Sequence, residues 1–489
     1  MKEVEYTRTL GQPTVFWRDT PSNGLRLSSL DMAMYFRRGT PRFSYSFFDG
    51  VRVLPPGHRL TINDRLQSFD RVWTPVDGQR WSGVKQEEIA RQIRETLTAS
   101  VTGLAAGHKR IGLFLSGGLD STILASLLKQ TGAEIICYVC QFPDFPVTDE
   151  THYARMAADR YGLQLKVVKI NRETFAALLK KILSVKDRPL TCWSAIPQLA
   201  VSQQAAEDQC DILFSGVGSD ELFTGYSLMG HKYKAFLEYE RHNGEGSAWE
   251  VLLGPASPAR SEILFMGNAT PFSYELIQEL MESPPERSFF EEDVVEFYRS
   301  LHQRHPEADI ASLMSAWEAE LRTSEMLYPD YLTAERITGM RVVYPFYTTK
   351  MVSAFNNIPL DLRFKFSHEG MLRHFPKVYQ GIDKYILRLA FEDVLPVDIQ
   401  ARARMAFSAP FAWWLQEADY RGGIEHEVVH HPVWKQIGVR QETLKKLFSG
   451  VDQPTLLNQW QRPFQLWLLY MVCQWADKKE FPMIKIYGT

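Results

Sequence analysis

Two glycine-bearing runs in this chain carry the residue types that phosphate chemistry needs: Ser116-Gly117-Gly118-Leu119-Asp120-Ser121 and Ser215-Gly216-Val217-Gly218-Ser219-Asp220-Glu221. The first follows a compact apolar run, Ile111-Gly112-Leu113-Phe114-Leu115, which reads as a buried strand. A turn from such a strand into a helix makes successive backbone N–H groups and the helix N-terminus converge on one point, and that convergence is an anion site. Gly117 and Gly118 let the backbone approach a phosphate group without a Cβ in the way. Ser116 and Ser121 add hydroxyl donors, and Asp120 offers the hard oxygen that Mg²⁺ requires. The run is not a Walker loop, because the GxxxxGK[ST] pattern and its lysine are missing. The second run also follows an apolar strand, Asp211 to Phe214, and presents Asp220. Two carboxylates at adjacent strand ends can hold one Mg²⁺ between them.

Such turns need a sheet to hold them. Between residues 86 and 214 strand and helix patterns alternate. Ile89, Ile93, Leu97 and Val101 mark a helix, and residues 121–130, 149–161 and 174–185 read as helical. Residues 134–142, 165–170 and 211–214 read as extended. Alternation of this kind gives an α/β fold, a parallel sheet covered by helices, with ligands at the carboxyl ends of its strands. Beyond Glu221 strand signals become scarce, so the second half is expected to be largely helical. Residues 1–80 are rich in turn signals such as Pro21-Ser22-Asn23-Gly24 and Pro55-Pro56-Gly57, and read as a small strand-rich domain with one helix near Leu30 to Arg37. Residues 81–489 form the main domain in this reading.

A length of 489 residues, with 45% hydrophobic and 23% charged residues, is ordinary globular usage. The net charge of −3 gives no reason to expect nucleic acid as a partner. The first residues have no apolar core of signal-peptide length, and five cysteines do not suggest a disulfide framework, so the expected location is cytoplasmic. The apolar stretch from Phe464 to Trp475 is too short to cross a bilayer and reads as a buried helix, without membrane insertion.

From about Ile111 to about Phe411 the sequence resembles the synthetase domain of the asparagine synthetase family, whose members include asparagine synthetases, β-lactam synthetases and lasso-peptide cyclases. The resemblance rests on the first turn, the block Phe214 to Tyr226, Tyr344-Pro345-Phe346, and Lys384-Tyr385-Ile386-Leu387-Arg388 followed by Leu395-Pro396, Ile399, Arg402, Phe407 and Pro410. It implies an ATP-pyrophosphatase fold and an enzyme that activates a carboxylate as an acyl-adenylate, with ATP and Mg²⁺ as cofactors. By the same analogy Asp120 and Asp220 bind the metal, and Ser116, Gly117, Gly118 and Ser121 grip pyrophosphate. Ser215 and Gly216 line the nucleotide, as do Phe114 and Cys140. Lys384 neutralises the departing pyrophosphate, and Arg404 stands where the family usually carries a lysine that stabilises the adenylate and the acyl-transfer transition state.

The chain also departs from the family. Glutamine-dependent members begin with a cysteine after the initiator methionine, whereas Lys2 follows Met1 here, so residues 1–80 are expected to be a truncated, inactive glutaminase-like remnant and the nucleophile an amine on the substrate. Val217 replaces a glutamate or tyrosine and cannot accept a proton, and Arg341 and Thr348 replace acids common in the family. These changes favour intramolecular macrolactam formation in a lasso-type peptide. A β-lactam-type or small-molecule amide ligase is the alternative. The expected partners are a peptide or small amino-acid-like substrate and a leader peptidase or precursor-binding protein.

Two other classes compete. His426-Glu427-Val428-Val429-His430 matches HExxH, the zinc signature of metalloproteases, but Gly422-Gly423 and Pro432 leave little more than two turns of helix and no third ligand has characteristic spacing. A solvated helix face is the expected reading. A non-catalytic binding protein with a decayed site is the other class, and the intact acids and Ser-Gly-Gly loop speak against it. Cys137 and Cys140 sit three apart on an expected strand and so face opposite sides.

Overall fold

In the computed structural model, the described residues are 4–8, 10, 16–18, 25–62, 67–76, 81–226, 230, 236, 238–244, 246–254, 270–306, 308–372, 375–402, 409–451, 461–477 and 486–487. Strands β1 (Val4–Arg8), β2 (Phe16–Arg18), β3 (Val51–Val53), β4 (His58–Ile62) and β5 (Gln67–Arg71) build two small sheets, β1-β4-β5 and β13-β2-β3, where β13 is Ile486–Tyr487. Helix α1 (Ser29–Arg38) lies among them, capped by the Ser28 side chain and ended by Gly39.

The central sheet contains β6 (Arg110–Phe114), β7 (Glu134–Gln141), β8 (Gln164–Lys169), β9 (Ile212–Phe214) and β10 (Val342–Val343) in the order β10-β9-β6-β7-β8, every pair parallel. Ile111 pairs with both Ile135 and Ile212, which puts the strand before the first turn beside the strand before the second. From β6 the chain winds outward through β7 and β8, then returns to lay β9 on the other side of β6. The strand order therefore reverses between β6 and β9, and parallel sheets leave a ligand crevice at the carboxyl ends of such a point.

Both faces of the sheet are covered, as parallel strands require. Ile111, Leu113, Ile135, Cys137, Ile212 and Phe214 pack against α2 (Gln86–Ala105), α3 (Leu119–Lys129) and α4 (Thr151–Tyr161), through Ile89, Ile93, Leu97, Ile123 and Ala157 among others. Ile136, Tyr138 and Leu213 face α5 (Arg172–Val185) and α6 (Ala195–Glu207). After α7 (Ser219–Phe223) helices dominate, as expected, but a hairpin of β11 (Lys365–Leu372) and β12 (Phe375–Ile382) interrupts them just before α8 (Tyr385–Ala390). Helix α9 spans Ala418–His430, so Gly422-Gly423 falls inside it and the helix is longer than the two turns expected. Helix α10 (Arg462–Ala476) buries Trp467, Leu468 and Trp475 completely, and among the described residues no helix is long and apolar enough to cross a membrane.

Candidate active site

The first turn leaves β6 where the Leu115 N–H donates to the Tyr138 carbonyl at 2.8 Å. Gly117 then takes a left-handed backbone, φ +67°, and a Cβ there would lie 2.2 Å from the carbonyl carbon of Tyr153. Only glycine lets the loop lie flat on the start of α4. The Ser116 hydroxyl accepts from the Gly118 N–H at 3.2 Å and lies 3.3 Å from the Ser121 hydroxyl, so both side chains stay on the loop. Helix α3 begins at Leu119 with Gly118 as its N-cap, which directs the helix's free N–H groups toward the same point. Arg402 clamps this loop from outside. It donates to the Ser116 carbonyl at 3.1 Å, pairs with Glu150 and lies 4.2 Å from the Tyr153 ring centroid.

The second turn leaves β9 with the Ser215 N–H donating to the Val343 carbonyl at 3.0 Å. Gly216 backs directly onto the first turn, since a Cβ on it would come 3.0 Å from the Asp120 Cβ. The Ser219 hydroxyl donates to Asp120 at 2.6 Å, joining the two turns. Between them lies Lys384, whose Nζ is 2.5 Å from Asp120 Oδ2 and 2.8 Å from Asp220 Oδ1. A Cβ at Gly225 would be 1.9 Å from Asp220 Oδ1 and 2.3 Å from Lys384 Cε, so the absent side chain makes room for this contact. The hairpin β11–β12 sets Lys384 in place, two residues after its last strand and in a left-handed backbone conformation, φ +49°. Such a backbone is uncommon for lysine and persists only where its surroundings hold it.

Charge follows this geometry. Burial alone would lower the Lys384 pKa, but Asp120 and Asp220 outweigh it and hold the ammonium above its ordinary range. For Asp120, burial raises the carboxyl, Lys384 opposes that rise and Asp220 adds to it. Each carboxylate keeps 21% of its side chain exposed, so the cluster opens toward the crevice. Two carboxylates that share one cation form a donor set suited to Mg²⁺, with the ammonium occupying that place here. Among the described residues no group of three or more His, Cys, Asp or Glu gathers about one point. A Mg²⁺ ion held by these two carboxylates would need its remaining oxygens from phosphates and water, as that ion commonly takes them.

Phe114 ends β6, and Cys140 lies near the end of β7 with its thiol 3.6 Å from the Pro197 carbonyl, so both stand at the carboxyl edge of the sheet. Burial pushes the Cys140 thiol up and that of Cys137 up to about 12, and all five cysteines are free. Arg404 lies outside the described residues. Val217 is half-buried against core side chains, and of the two acids that follow it in the turn, Asp220 faces Lys384 while Glu221 accepts from the Tyr226 hydroxyl at 3.0 Å. Thr348 caps the helix Thr349–Phe355. The His426 and His430 rings lie 4.7 Å apart and tilted by 40°, while Glu427 accepts from Gln474, an arrangement of helix contacts. Glu150, Tyr153 and Ser219 escaped sequence reasoning as site residues, and Arg402 was noted there without a role. Ser219 alone had a local signal, its place in the second turn.

The asparagine synthase family profile matches residues 92–477. Similar proteins include the amidase chyE of Penicillium rubens, 22% identical over 478 residues that cover 84% of this chain and 66% of that protein. The glutamine-hydrolysing asparagine synthetase 1 of Bacillus subtilis is 24% identical over 388 residues, 75% of this chain and 56% of that protein. The asparagine synthetase of Gallus gallus is 25% identical over 340 residues, 67% and 44% respectively. The chain thus spans between 44% and 66% of the length of these relatives. Because the matched span takes in both strand-end turns, the hairpin and Lys384, the chain belongs to the asparagine synthase family.

Proposed function

We propose that this chain is an ATP-dependent amide synthetase that forms AMP and pyrophosphate. The observation that carries this reading is the Lys384 ammonium seated between Asp120 and Asp220 at the point where the strand order reverses. In the proposed reaction a substrate carboxylate oxygen attacks the α-phosphorus of ATP, that P–O bond forms, and the bond to the β-phosphate oxygen breaks. The backbone N–H groups of Gly117 and Gly118, with the Ser116 and Ser121 hydroxyls, hold the departing pyrophosphate, and Lys384 neutralises its charge. Mg²⁺ held by Asp120 and Asp220 supplies further neutralisation when bound. Ser215, Gly216, Phe114 and Cys140 line the nucleotide, and Arg404 serves the acyl-transfer step. An amine then attacks the acyl carbon, the amide bond forms and AMP leaves. The names of the relatives, synthetase and amidase, both concern amide bonds.

For the product, the leading reading is an intramolecular macrolactam in a lasso-type peptide, made in the cytoplasm with a leader peptidase or precursor-binding protein as partner. Its support is Val217, an apolar residue of the second turn at the position where the resemblance gives asparagine synthetases a glutamate and β-lactam synthetases a tyrosine, together with the long helical second half of the chain. A β-lactam or other small amide is the second reading. Mass spectrometry of a leader-free candidate peptide incubated with the full chain, ATP and Mg²⁺ separates them. Loss of one water with AMP release supports cyclisation, and AMP release only with a small β-amino acid rejects it.

A further inference from the structure

Residues Glu318–Leu327 wind as a π-helix in the middle of an otherwise α-helical rod that runs from Ile310 to Thr338. Such windings are rare and concentrate at functional sites, because the wider turn leaves backbone groups for other partners. Here the Ala319 carbonyl accepts from the Tyr347 hydroxyl and from the Ser324 hydroxyl, the latter at 2.9 Å.

One side of this stretch meets the N-terminal strands. Arg71 of β5 pairs with Glu320, and Arg8 of β1 pairs with Glu325 at 2.5 Å while donating to the carbonyls of Leu54 and Ser324. Glu320 and Arg8 are buried, while the side chains of their partners Arg71 and Glu325 keep 11% and 12% exposure, so both pairs lie largely out of water. Buried ion pairs add little net stability over apolar packing, and their best-attested use is to fix one arrangement among several. Two of them on one wound segment therefore read as a device that sets its register.

The other side meets the nucleotide turns. Arg322 pairs with Glu318 at 3.2 Å and lies 4.6 Å from the Tyr226 ring centroid, and Tyr226 donates to Glu221, the neighbour of Asp220. Tyr347, bound to the π-helical carbonyl, packs on the second turn at Gly218, where φ is +97° and a Cβ would lie 2.6 Å from the Tyr347 Cβ.

We propose that the N-terminal strands are a positioning element for the nucleotide site, with Arg8 and Arg71 as positioning residues that act through the π-helical stretch on the turn Ser215 to Glu221. The inference rests on the assignment of that turn to the nucleotide. In this arrangement Arg8 and Arg71 hold Glu325 and Glu320, the π-helix carries Tyr347 and Arg322 into place, and these two press on Gly218 and Tyr226. The N-terminal region then contributes to ATP binding without touching it.

Hydrogen exchange measured by mass spectrometry on the full chain, with calorimetry of Mg²⁺–ATP, tests this. Arg71→Met is expected to lose protection at 318–327 and 215–224 together, while 111–115 and 135–139 stay protected, and to bind Mg²⁺–ATP about tenfold more weakly. Arg71→Lys restores both. Tyr347→Phe keeps the N-terminal ion pairs and is expected to lose protection at 215–224, which decides the matter if Arg71→Met fails to fold. Loosening of 318–327 with unchanged protection at 215–224 overturns the proposal, as does wild-type protection there in Tyr347→Phe. Failure of the wild-type chain to bind Mg²⁺–ATP speaks instead against the nucleotide assignment, and the exchange pattern still reads the coupling.

Discussion

At the residue scale the site turns on one ammonium group shared by two carboxylates. Because Asp120 and Asp220 hold the Lys384 pKa above its ordinary 10.5, its stabilising contribution is complete below that value and is lost only as pH rises through the raised one. The alkaline limit of stability set by this cluster therefore lies above the ordinary lysine range. Lys384→Met leaves two adjacent, mostly enclosed carboxylates without a cation, which is expected to cost the folded state about 3 kcal/mol in the absence of divalent ions. Mg²⁺ should recover part of that loss and bind the variant more tightly than wild type, since it no longer competes with the ammonium. Urea unfolding with and without Mg²⁺ checks this, and an equal effect of Mg²⁺ on both proteins would show that lysine and metal do not share the place. Asp120, Asp220 and Lys384 were all legible in the sequence by residue type and by resemblance. Their direct contact was not, because 264 positions separate Lys384 from Asp120 and no local pattern encodes such a meeting.

At the scale of elements, the first turn works because three neighbours fix its shape: the end of β6, the start of α4 and the Arg402–Glu150 pair. Gly117→Ala would place a methyl group against the Tyr153 carbonyl in a left-handed backbone, so the loop must move. The expected result is loss of Mg²⁺–ATP binding by calorimetry with a far-ultraviolet dichroism spectrum like that of wild type. A variant that binds normally would place the phosphates elsewhere. In the N-terminal sheet, burial above all, with help from Arg71, lowers the His58 pKa from 6.5 to about 3, while its Nδ1 lies 2.9 Å from the Pro56 carbonyl. A lowered histidine contributes stability that is present above 6.5 and is lost as pH falls toward 3, which amounts to about 2–3 kcal/mol by pH 4.5. His58→Asn keeps a donor for Pro56 without the titration, so urea unfolding at pH 6.5 and 4.5 should show a smaller acid loss in the variant. Periodicity located β6 to β9 and α2 to α5 to within a few residues, but not β10, whose two residues are too short to show a period. It missed the hairpin at 365–382, whose Gly370, Pro376 and mixed polarity lack an alternating pattern, and it missed α6, which is apolar on nearly every side.

At the scale of the whole molecule, a five-stranded parallel sheet places both turns on one crevice, while a helical second half and the N-terminal strands pack around it. The parallel sheet and the helical second half followed from alternation and from its loss after Glu221, both of which are local signals. How the N-terminal strands bear on the site did not follow, because Arg8 and Arg71 meet Glu325 and Glu320 across more than two hundred positions. The central claim is that this assembly cleaves ATP between the α- and β-phosphates. Phosphorus NMR of ATP consumed by the full chain with Mg²⁺, across a panel of amine-bearing carboxylates and peptides, tests it most directly. The account predicts AMP and pyrophosphate, formed only in the presence of an accepted carboxylate, and ADP with inorganic phosphate would contradict it.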